Sequence, residues 1–132
     1  MENIIKTQSV KIGGRTFSLA FTLKTLLDMQ EHIEGFDYNR IEEIVRQPRG
    51  MVDVLYSLIK TGEALEGREL DIDKEWLALY IPPTVKKILY LQILIRDTMQ
   101  DSMHMETEED DERSREVDLV LQELQKKSGK TD

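Results

Sequence analysis

With 132 residues, no cysteine and a net charge of −8, the chain has room for one core and none for disulfides, thiolate zinc sites or a cysteine nucleophile. Its 39% hydrophobic and 33% charged residues are those of a soluble protein, and its apolar run from Ile88 to Ile95 is too short to cross a membrane. No signal-peptide pattern is present, which places the protein in the cytoplasm, and the acidic balance leaves no broad basic face for neutralising nucleic-acid phosphates.

The first predicted element is a β-hairpin. Val10 and Ile12 alternate on one strand, Phe17, Leu19 and Phe21 alternate on the return, and Gly13-Gly14 supplies the positive-φ pair that a two-residue turn needs. From Leu23 the period changes. Leu26, Leu27, Met29 and Ile33 recur at helical spacing behind Thr22 as N-cap, predicting a helix that stops at Gly35. Asn39 then fits as the cap of a short helix, Arg40 to Arg46, with Pro48 and Gly50 punctuating its end.

A third helix is predicted from near Met51 to a stop at Gly62, carrying Val52, Leu55, Tyr56 and Ile59 on one face. Glu63 to Asp73 reads as a loop with a helical turn at Ala64-Leu65. Asp73 caps a brief helix, Lys74 to Tyr80, which holds the lone tryptophan, Trp76, and Ile81-Pro82-Pro83 ends it. Thr84 opens the longest helix, Val85 to about Met103. Ile88, Leu89, Leu91, Ile93, Leu94 and Ile95 make it apolar on more than one face, which predicts the central core helix, with Gln92 and Arg96 marking where burial gives out. The fold class is therefore mainly α (α+β): an N-terminal β-hairpin followed by a four- to five-helix bundle over residues 1–105 and a charged C-terminal tail over 106–132.

The tail concentrates the acidity, with 10 acids and 5 bases after residue 105. Glu106 to Glu112 packs six acids into seven residues and reads as a solvated linker. Arg113 to Lys127 regains helical periodicity, and Val117, Val120, Leu121 and Leu124 form an apolar stripe. This stripe is the candidate partner-binding segment; another copy of the chain, or the chain's own domain, would suit it equally.

No constellation for catalysis, cofactor binding or metal binding emerges. The acid run lacks the spacing and turn glycine of a calcium loop, Glu42-Glu43 and Asp71/Asp73 fit helix-surface and capping roles, and His32 and His104 have no neighbours that would complete a triad or metal site. Gly13-Gly14 lacks the lysine and hydroxyl of a phosphate loop. Met29, Met99, Met103 and Met105 fit flexible packing or an adaptable binding face. Trp76, Tyr80 and Arg49 are interface residue types, with a core role favoured for Trp76. A binding protein, not an enzyme, is the expectation.

The stretch from Ile12-Gly-Gly-Arg-Thr-Phe to Leu27-Asp-Met29, the helix at Asp53-Val-Leu-Tyr-Ser-Leu-Ile59 and the late long helix before a charged tail resemble the tail assembly chaperones of long-tailed bacteriophages and prophages, over about residues 8 to 105. The resemblance implies a small α-rich protein of the bacterial host cytoplasm. Such proteins coat the tape measure protein, help recruit tail tube subunits around it and are absent from the mature virion. It also implies no catalytic residue and no cofactor. In many members a ribosomal frameshift appends a second domain, and Lys126-Lys127 would suit an A-rich slippery stretch. Two other readings stand beside it: a structural virion component such as a tail or head-tail completion protein, and an acidic regulator that mimics nucleic acid through Glu106 to Glu112.

Overall fold

A computed structural model describes residues 5–103 and 112–129 of the chain. Strands β1 (Gln8–Ile12) and β2 (Arg15–Leu19) pair antiparallel with Val10 opposite Phe17 and Ile12 opposite Arg15. Gly13 and Gly14, at φ 59° and 78°, make the turn whose twist matches the strands. As the alternation requires, Val10, Ile12, Phe17 and Leu19 all face inward and are buried.

Among the described residues six α-helices follow: α1 (Leu23–His32), α2 (Ile41–Arg46), α3 (Pro48–Leu65), α4 (Lys74–Tyr80), α5 (Val85–Met103) and α6 (Glu112–Gly129). The protein is mainly α with a small hairpin. Thr22 starts α1 through a reciprocal cap, its side chain accepting from the Thr25 amide while Thr25 Oγ1 accepts from the Thr22 amide. Asp73 caps α4 by accepting from the Trp76 amide at 2.9 Å, and Thr84 does the same for α5 at the Lys87 amide. Asp73→Ala is expected to cost about 1 kcal/mol by freeing that amide. Denaturant unfolding followed by Trp76 fluorescence would measure it, and an unchanged midpoint would mean that packing alone holds α4.

Four boundaries depart from the periodicity. Helix α1 ends at His32 with Ile33 as an extended cap, so Gly35 does not stop it. Asn39 is not a cap: Asp37 accepts from the Asn39 amide and opens a 3-10 turn, Tyr38–Arg40, that leads into α2 without a side-chain cap. Helix α2 does end at Arg46, just before Pro48, but the next helix begins at Pro48 itself and not near Met51, because at the first helical position the missing N–H of proline costs nothing, and Gly50 lies within its first turn. Gly62 is inside α3, which runs on to Leu65 through the segment read as a loop.

The larger correction concerns the centre of the molecule. That place belongs to α3, which packs against β2, α1, α2, α4 and α5. Met51, Val54, Leu55, Leu58 and Ile59 bury more than one of its faces. Helix α5 lies at the side and buries Leu91, Leu94, Ile95, Thr98 and Met99, so burial continues past Gln92 and Arg96. Gln92 instead reaches across to the Val45 and Arg46 carbonyls that end α2.

Strand β2 is sealed along its outer edge by α3. The Ala20 amide donates to the Leu58 carbonyl at 3.1 Å, and the Ser18 amide donates to Glu63 Oε2 at 2.8 Å. A two-stranded sheet is marginal alone. Here a helix supplies what a third strand would.

Candidate functional site

The carboxylates and the histidine of the domain that the sequence singles out stand in structural settings. Glu42 and Glu43 occupy the first turn of α2, where carboxylates favour the helix dipole; Asp71 meets the Arg15 guanidinium at 2.8 Å; and Asp73 is the cap already described. Asp28 accepts from Ser57 Oγ at 2.9 Å and from Lys60 Nζ at 3.0 Å, and His32 Nδ1 lies 3.1 Å from its Oδ1. Burial pushes the Asp28 carboxyl up, but the Lys60 and Ser57 hydrogen bonds together with the Lys60 and His32 charges outweigh it and hold its pKa below the ordinary aspartate value. Among the described residues no group of three potential ligands could hold a metal ion. His104, Met105 and Glu106 to Asp111 of the acid run lie outside the described residues.

The residue types suited to interfaces separate in space. Trp76 is half-buried at the edge of the core, edge-on to Phe17 with ring centres 5.7 Å apart, and it lies over Gly13 at the hairpin turn. Tyr80 packs against its outer side at 4.7 Å and is half exposed. Arg49 is exposed at the rim of a surface groove of about 460 Å³ formed by the starts of α3 and α5 with α4. Met51, Val52, Ile81, Pro82, Pro83 and Ile88 contribute its apolar lining, and the Asp53–Lys74 ion pair, at 3.1 Å, stands beside it.

Two helices leave apolar faces open. On α5, Val85 (77% exposed), Leu89 (51%) and Ile93 (44%) fall at i, i+4 and i+8 on the side away from α3, with Tyr90 beside them. The sequence signal for this face was its apolar content. Read as burial on all sides, it concealed a second surface. On α6 every described side chain, residues 115–126, is exposed, and this includes the four stripe residues Val117, Val120, Leu121 and Leu124. Monomeric proteins scatter single exposed apolar residues widely. Rows at helical spacing are another matter, because they match the anchors by which one helix lies along another.

Comparison of the chain with known protein families, with curated proteins and with solved structures returned no match. Among the described residues no helix is long and apolar enough to cross a membrane.

Proposed function

We propose that this protein is a tail assembly chaperone of a long-tailed phage or prophage, which binds the tape measure protein in the host cytoplasm, keeps it soluble and helps recruit tail tube subunits. The observation that carries this reading is the pair of open apolar helix faces, Val85/Leu89/Ile93 on α5 and Val117/Val120/Leu121/Leu124 on α6. A long helical client exposes apolar stripes that aggregate unless covered. Helical faces of matching spacing cover them without any chemistry, and the resemblance over about residues 8 to 105 supplies the client.

In this mechanism the rigid part of the domain, α3 with its sealed hairpin, holds α5 in place. The exposed row on α5 then meets the client as a preformed surface, so little ordering entropy is spent there, whereas the α6 stripe closes over the client as a second wall.

Co-expression with the downstream tape measure protein is the test. The wild-type chain is expected to move the client from the pellet to the soluble fraction, and a Leu89→Glu/Ile93→Glu variant to lose at least ten-fold of that effect while keeping its helical circular dichroism. Equal precipitation with and without this chain would refute the proposal. Recovery of the protein from purified particles would favour the structural virion component instead.

A further inference from the structure

We draw no further inference here: the strongest candidate, the apolar surface groove of about 460 Å³ between α4 and the starts of α3 and α5, is an open apolar face with both acids and bases in its lining, and nothing in the structure shows what covers it.

Discussion

Gly62→Ala is expected to destabilise the protein by about 3 kcal/mol, the upper end of the usual cost of overpacking. Alanine at a helix interior normally gains about 1 kcal/mol over glycine, so the sign here is opposite to the helix expectation. The reason is contact. A Cβ on Gly62 would stand 2.2 Å from the Ser18 carbonyl oxygen and 2.6 Å from the Leu19 nitrogen. These are backbone atoms of β2 and cannot rotate away. To accept the methyl, the hairpin must lift from α3, which breaks the Ala20–Leu58 hydrogen bond and opens the packing of Phe17 and Leu19. Urea unfolding of the two proteins would read the difference. A stability equal to or above wild type would show that the hairpin rides loosely on α3.

Glu63 is the second position with a large expected effect. Its side chain is only 7% exposed, yet it accepts from the Ser18 amide at 2.8 Å and from Arg68 Nε and Nη2 at 2.9 and 3.0 Å. Glu63→Ala leaves the Ser18 amide without its acceptor and is expected to cost about 2 kcal/mol; the half-exposed Arg68 can recover water, which keeps the figure below that for a fully buried pair.

The charge adds a pH signature. Hydrogen bonds from the Arg68 guanidinium hold the Glu63 carboxyl below the ordinary glutamate value of 4.5, against the effect of burial. A carboxylate whose folded pKa is depressed stabilises the fold fully above its unfolded pKa and loses that contribution as pH falls through the folded one. Stability is therefore expected to decline below about pH 4.5 in the wild type, and less steeply in Glu63→Gln, which keeps an acceptor for Ser18 but binds no proton. Asp28, lowered by Lys60 and Ser57, acts in the same direction from the α1–α3 contact. Parallel acid limbs for Glu63→Gln and wild type would assign the pH dependence to other groups.

Both residues act on the joint between hairpin and α3, and α3 in turn carries α5. Loosening that joint is expected to disturb the α5 face only indirectly. Changes at Leu89 and Ile93, by contrast, leave the joint untouched, which is why they separate binding from folding in the tests above.

Local chemistry alone determined a good part of this protein. The Gly13-Gly14 turn, the caps at Thr22, Asp73 and Thr84 and the stop at Ile81-Pro82-Pro83 depend on a few neighbouring residues whose backbone preferences are intrinsic, and each stands where the sequence places it. The mainly α class with its N-terminal hairpin follows from the switch between a period of two and one of 3.6. What periodicity could not decide was which helix lies at the centre. α3 and α5 are both rich in apolar residues, and pattern measures apolar content, not what lies opposite it. Only the packing made α3 the shared partner of β2 and four helices, turned Gly62 from a stop into a contact point, and buried Glu63 against a strand forty-five residues earlier. The same packing left the outer row of α5 uncovered, because a helix at the side of a domain has a neighbour on one face only.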